Sequence, residues 1–169
     1  MLIAIARSYL GIHEVGVNDG EFVRMFQSAI GKAEGEPWCI SFIQYCVKMV
    51  EDICENVFDH AMIDGNLKLL QSINPLACLI ETEHALTLYK TALHRKTRAE
   101  PGLIAVWQNG DTSSGHGGIV ESVTDDGFTT IEGNTNESGS REGDGVYRKK
   151  CTYGPRGKLK LLGFVDPWE

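Results

Sequence analysis

PGLIAVWQNGDTSSGHGGIVESVTDDGFTTIEGN, residues 101–134, is where the chain changes character. After Pro101-Gly102 the apolar residues fall into short runs: 103–107, 118–123 and 127–132. Asp125-Asp126-Gly127 joins the last two, and Asp-Gly between apolar runs is a strong short-range hairpin signal. Residues 146–149 and 159–165 are further strand candidates. Upstream of Pro101 the apolar residues recur at helical spacing instead. Helices first and antiparallel strands second predict an α+β domain. No internal repeat or linker divides residues 1–169, so a single domain is expected.

Three helices are predicted in the first half. Leu2, Ile3, Ala6 and Leu10 form an apolar stripe closed by Gly11. Phe22, Val23, Phe26 and Ile30 line a second helix stopped by Gly31, and Asn18 with Glu21 resembles a capping box at its start. Pro37 opens a third, because proline suits a first helical turn; Ile40, Ile43, Val47 and Val50 then recur at helical spacing. Residues 53–96 read as helix pieces and loops, with breaks at Gly65 and Asn74-Pro75.

Composition excludes several classes. With 42% hydrophobic and 23% charged residues, the chain is ordinary for a soluble globular protein. A net charge of -7 argues against a nucleic-acid partner, which needs a basic face. Arg148-Lys149-Lys150 is too short a basic run to reverse that. An anionic substrate must be held by a shaped groove rather than by a charge field. No run approaches about 18 consecutive apolar residues, so no membrane insertion is expected. Residues 1–10 contain Arg7 and lack a basic leader and cleavage site. We expect synthesis in a cytoplasm without a signal peptide, and a monomer. Five cysteines, an odd number in a chain too large to need staples, point to reduced thiols.

Cys39 stands at the start of the third helix, directly after Pro37-Trp38. A helix N-terminus carries roughly half a positive charge and unpaired N–H groups, which favour a thiolate and help to hold an oxyanion. Cys46, deep inside the same helix, reads as core. Cys54, Cys78 and Cys151 have no activating neighbour in sequence and read as structural. His116, in Gly115-His116-Gly117-Gly118, lies at the mouth of a strand with little side-chain clutter around it. Imidazole titrates near neutrality and is the usual base for a nucleophile. Glu132, one strand later in Ile131-Glu132-Gly133-Asn134, is placed to orient the ring.

Pro37-Trp38-Cys39 opening a helix, Pro101-Gly102 before Val106-Trp107, Gly115-His116-Gly117-Gly118-Ile119-Val120, and Glu132-Gly133-Asn134 occur in an order that resembles the CHAP amidohydrolases and peptidases of the papain-like superfamily. The resemblance runs from about Ile12 to Pro167. It implies Cys39 as nucleophile, His116 as base, Glu132 orienting the histidine, and Asn134 assisting in polarising or positioning. It also implies a papain-like fold, with the cysteine helix packed on an antiparallel sheet. Family members mostly cleave peptidoglycan, so the stem peptide is the implied substrate, cut as an endopeptidase or an amidase. Gly11-Ile12-His13-Glu14-Val15-Gly16 and Gly163-Phe164-Val165-Asp166-Pro167-Trp168 resemble the phage-lysin subset, which would act on the wall after release or delivery by another route. Trp38 and Gly117 are expected to touch substrate, though a core tryptophan fits Trp38 as well. Arg141, Glu142 and Asp144 form a polar loop that either flanks the groove or is merely solvated. Some relatives bind calcium just before the nucleophile; residues 31–37 lack the Asp spacing for this, so no metal and no cofactor is expected.

Two other classes compete. A metal enzyme would draw on His13, His60, His84, His94 and the cysteines, but no CxxC, HxxxH or HExxH spacing is present. A non-catalytic wall- or protein-binding module on the same fold would usually have lost the cysteine or the histidine, and both remain. A secreted interbacterial amidase toxin shares the chemistry and differs only in delivery.

Overall fold

The computed structural model describes residues 1–32, 34–63, 77, 79–136 and 143–168. Among the described residues, four helices and six strands follow in chain order: α1 (Leu2–Ser8), α2 (Glu21–Ser28), α3 (Cys39–Ile63), α4 (Ala85–Thr91), β1 (Arg95–Lys96), β2 (Ile104–Asn109), β3 (Gly115–Thr124), β4 (Gly127–Thr135), β5 (Gly145–Cys151) and β6 (Leu159–Val165). The strands form one antiparallel sheet in the order β1-β6-β2-β3-β4-β5. This is the α+β arrangement that the change at Pro101 predicts.

Alternation along the strands gives the sheet two apolar faces. Ile104, Val106, Ile119, Ile131, Val146 and Val165 point to the helices and are buried with Ile40, Ile43 and Val47 of α3. Ala105, Trp107, Val120, Phe128, Cys151 and Phe164 point the other way and form a second, smaller cluster. On the helical side, Tyr9 meets Phe26 at 5.2 Å and Tyr45 at 5.6 Å edge to face, and Phe26 lies tilted against Tyr45 at 5.2 Å. That cluster fixes α1 and α2 against the first half of α3.

Several local expectations are corrected. The cap of α2 is Gly20, at φ +125°, and no side chain caps it. Asn18 instead sits at φ +50°, its N–H donating to Glu14 Oε2 and its side chain to the Gly35 carbonyl. Phe22 is 40% exposed, so only Val23 and Phe26 of that stripe are buried in α2. The third helix begins at Cys39 rather than at Pro37 and continues to Ile63, so residues 53–63 extend it. β3 begins at Gly115, earlier than the apolar run from 118, so His116 is its second residue, at the mouth of the strand as read. The breaks read at Gly65 and Asn74-Pro75, and Cys78, Arg141 and Glu142, lie outside the described residues. Among the described residues, no helix is long and apolar enough to cross a membrane.

The helix approaches the sheet at glycines. A Cβ at Gly133 would lie 2.7 Å from Trp38 Cζ3 and 2.8 Å from Phe42 Cβ. Trp38 and Phe42 are fully buried, so neither can retreat. Gly133→Ala is expected to lower stability by about 2 kcal/mol, as overpacking of a filled core does. The urea midpoint measures it; an unchanged midpoint would show that the interface yields.

Candidate active site

Cys39 is the first residue of α3, and Phe42 N–H closes the first turn on the Trp38 carbonyl at 2.9 Å. Its position is fixed from both sides. The following Ile40 and Ile43 are buried under the sheet, while the preceding Trp38 stacks on Phe26 at 5.7 Å and donates its indole N–H to Glu14. Cys39 is 7% exposed and lines a groove of about 740 Å³.

His116 reaches the same groove from β3, where it pairs with Trp107 of β2. Its Nε2–H donates to Glu132 Oε2 at 2.8 Å. Glu132 comes from β4, and the register there pairs Ile119 with Ile131. That register puts Glu132 across from Gly118, one step diagonal to His116. A Cβ at Gly118 would lie 2.7 Å from Glu132 Cγ. Glycine at 118 is therefore what leaves the lane through which the carboxylate reaches the imidazole. With Nε2 engaged by Glu132, Cys39 is the other side chain that acts on the ring.

Glu132 is fully buried and heavily bonded. Arg156 binds it through a fork, Nη1 to Oε1 at 2.7 Å and Nη2 to Oε2 at 3.0 Å. Thr130 Oγ1 donates to Oε1 at 2.6 Å. Burial by itself would raise the carboxyl out of the usual carboxylate range. The positive charge and hydrogen bond of His116, then Arg156, outweigh burial and hold it well below that range. Burial likewise disfavours the imidazolium of His116, but Glu132 first and Cys39 second push the ring above the usual imidazole range. The site is thus a chain of alternating partners, Cys39–His116–Glu132–Arg156.

Asn134 stands two residues after Glu132 at φ +52°, a left-handed conformation that asparagine tolerates better than most residues. Its hydrogen bonds assign its amide: the oxygen accepts from Trp38 N–H at 3.2 Å and the nitrogen donates to the Gly143 carbonyl at 3.2 Å. It therefore ties the backbone just before Cys39 to the β4–β5 connection. Cys39, His116, Glu132 and Asn134, quoted from distant parts of the sequence, are brought together.

Trp38 and Gly117 are placed otherwise than expected. Trp38 is fully buried and its ring faces Phe26, not the groove. Gly117 is buried, and a Cβ there would meet Ile40 Cδ1 at 2.6 Å and Ile43 Cδ1 at 2.9 Å. Both serve the packing of α3. The groove is walled instead by Glu14, Asn18, Ser114, Gly115, Asp144 and Lys158, among others. Of the polar loop read from sequence, Asp144 is thus at the groove. Glu14 and Arg156 were not legible as site residues: one sits in a polar turn, the other in a Gly-Pro-Arg-Gly loop. Among the described residues, no group of three metal-ligating side chains is close enough to hold an ion.

The CHAP domain family model matches residues 31–134, more than half of the chain and the whole stretch from the approach to α3 to Asn134. The chain belongs to the CHAP domain family, and its fold is the papain-like α+β fold of that family. That family implies a cysteine hydrolase of the amidase or peptidase type. No curated protein and no solved structure matches the chain.

The thiols should separate by reactivity. Burial pushes the Cys46 and Cys151 thiols up, away from the reactive thiolate. Iodoacetamide at neutral pH is therefore expected to label Cys39 in the native protein while Cys46 and Cys151 stay unmodified. Peptide mapping by mass spectrometry reads it, and equal labelling of the three would remove the distinction.

Proposed function

We propose that the protein is a cysteine hydrolase that cuts an amide bond in bacterial peptidoglycan, at the stem peptide, through an acyl-enzyme intermediate. The observation that carries this reading is that one imidazole, His116, has Cys39 on one side and a buried carboxylate, Glu132, on the other. Family membership supplies the substrate class. We take residues 1–169 as one catalytic domain that acts as a monomer on the wall, after release or delivery, in the manner of a phage lysin.

The arrangement of Cys39, His116 and Glu132 supports the following steps. With its proton already held by His116, Cys39 Sγ attacks the amide carbonyl, forming the S–C bond. The developing oxyanion lies at the start of α3, where N–H groups of the first turn have no intrahelical partner. His116 passes the proton to the leaving nitrogen, the C–N bond breaks, and the amine departs. Water then gives a proton to His116 as its oxygen attacks the thioester. When the S–C bond breaks, the acid is released and the sulfur is left as a thiolate beside the protonated ring. Glu132 holds the ring in place throughout. Asn134 acts one step back, by fixing the peptide that precedes the nucleophile.

Digestion of purified peptidoglycan tests the reading. Wild type should release stem-peptide fragments, whose masses distinguish an endopeptidase from an amidase. Cys39→Ala and His116→Ala, each folded by circular dichroism, should lose about a thousandfold or more. A Cys39→Ala variant that still digests the wall would falsify the nucleophile.

A second prediction concerns pH. His116 is held above the usual imidazole range chiefly by the Glu132 charge, so it keeps its proton into mildly alkaline solution and loses it as pH rises further. Glu132→Gln removes that charge at constant size. The alkaline limb of the rate profile should then move down toward the ordinary imidazole value, with a lower maximal rate. An alkaline limb that does not move would assign it to another group.

A further inference from the structure

Arg156 is built into the site more firmly than a loop arginine needs to be. It opens a two-residue hairpin between β5 and β6, in which Arg156 N–H donates to the Leu159 carbonyl at 2.9 Å and Leu159 N–H returns the bond at 2.9 Å. Gly157 takes the first turn position at φ +59°, where a glycine-first hairpin requires a positive φ. Gly110 N–H clamps the turn from the side, through the Lys158 carbonyl at 2.8 Å. The guanidinium lies 4.9 Å above the fully buried Trp107 ring, a cation–π contact, and both of its terminal nitrogens go to Glu132. Backbone, plane and fork are thus all specified.

We propose that Arg156 is a positioning residue of the site: it locks the Glu132 carboxylate in plane against His116 and balances its charge, so that the imidazole can release a proton as well as hold one. The argument is one of charge count. Whenever His116 is neutral, Glu132 is a fully buried anion, and an unpaired buried carboxylate is costly. The imidazole would then keep its proton rather than pass it to the leaving nitrogen. Among the described residues, Arg156 is the only permanent cation bonded to Glu132. The other groups near the pair are the thiols of Cys39 and Cys151, from α3 and β5. Around the rim stand Glu14, Glu83, His84, Asp144 and Lys158. Of these, Glu83 is paired with Lys32 at 2.7 Å. None of the rim groups is seen to bond Glu132. The fork also explains why arginine stands here: lysine would supply the charge but not two parallel bonds or the flat stack on Trp107.

This inference rests on the Cys39–His116 reading and is tested with two variants of the full chain, R156Q and R156K. The measurements are the His116 titration midpoint, followed by NMR on histidine-labelled protein, and kcat and KM on solubilised peptidoglycan. In folded R156Q the midpoint should rise by about one pH unit or more, since a neighbouring cation is gone. Its kcat should fall about tenfold or more, with KM within about twofold, because the substrate groove is intact. R156K should restore the midpoint and recover only part of kcat. A midpoint in R156Q that stays put or falls, or a wild-type kcat, would overturn the proposal; so would a loss confined to thermal stability. If R156Q does not fold, R156K carries the test: reduced kcat at an unchanged midpoint supports it, and wild-type kcat overturns it. The titration needs no wall substrate. If wild type leaves peptidoglycan intact while the midpoint still rises in R156Q, the functional reading fails and the link from Arg156 to His116 stands.

Discussion

Close approach of the first turn of α3 to the starts of β3 and the end of β4 is the constraint on which the molecule depends. A helix normally stands off a sheet by the thickness of two side-chain layers. Here Gly117 and Gly133 remove one layer at the two points of contact, so that Ile40, Ile43, Trp38 and Phe42 rest on strand backbone. The helix start, and Cys39 with it, is carried down to the level of His116. The other packing on the helical side follows: Tyr9, Phe26 and Tyr45 fill the space behind Trp38, and α1 and α2 are the elements that deliver two of those rings.

The second constraint is electrostatic and lies on the far face of the sheet. Glu132 has no exposed surface, so its charge exists only because His116, Thr130 and Arg156 surround it. Each of these comes from a different place: β3, β4 itself, and the β5–β6 turn. The carboxylate is where those pieces are held to one geometry.

Much of this was legible in the residues, for identifiable reasons. The strands at 118–123, 127–132 and 159–165 were visible because apolar runs and Asp-Gly turns are local signals, and the structure extends them by only a few residues. Cys39 and His116 were legible because a helix start and a glycine-flanked imidazole each carry chemistry in a short window. The capping box at Asn18 failed because the residue is engaged elsewhere: Glu14 and the Gly35 carbonyl hold it in a left-handed turn. Trp38 and Gly117 were read as substrate contacts because nothing local reveals which way a side chain faces at a helix–sheet junction. Arg156 was invisible for a related reason. Its meaning depends on the register of β4 against β3 and on Trp107 lying beneath it, and no window of neighbouring residues contains either fact.

The segment at Gly11, Ile12 and Glu14 is stitched along the outer strand. Gly11 N–H bonds the Val146 carbonyl, Val146 N–H the Ile12 carbonyl, and Glu14 N–H the Asp144 carbonyl. Glu14 then reaches Trp38 across the helix start. At the opposite end of the chain, Arg156 reaches Glu132 from the turn before the last strand. The stitch along β5 closes a long loop, with His13 and Tyr147 in contact 134 residues apart, and long loops close late because their entropy must be lost before any contact returns it. Arg156, which braces the carboxylate, follows the thiol, the imidazole and the carboxylate in the chain. The full set of bonds to Glu132 is thus a property of the assembled sheet and its β5–β6 turn, and of no single hairpin.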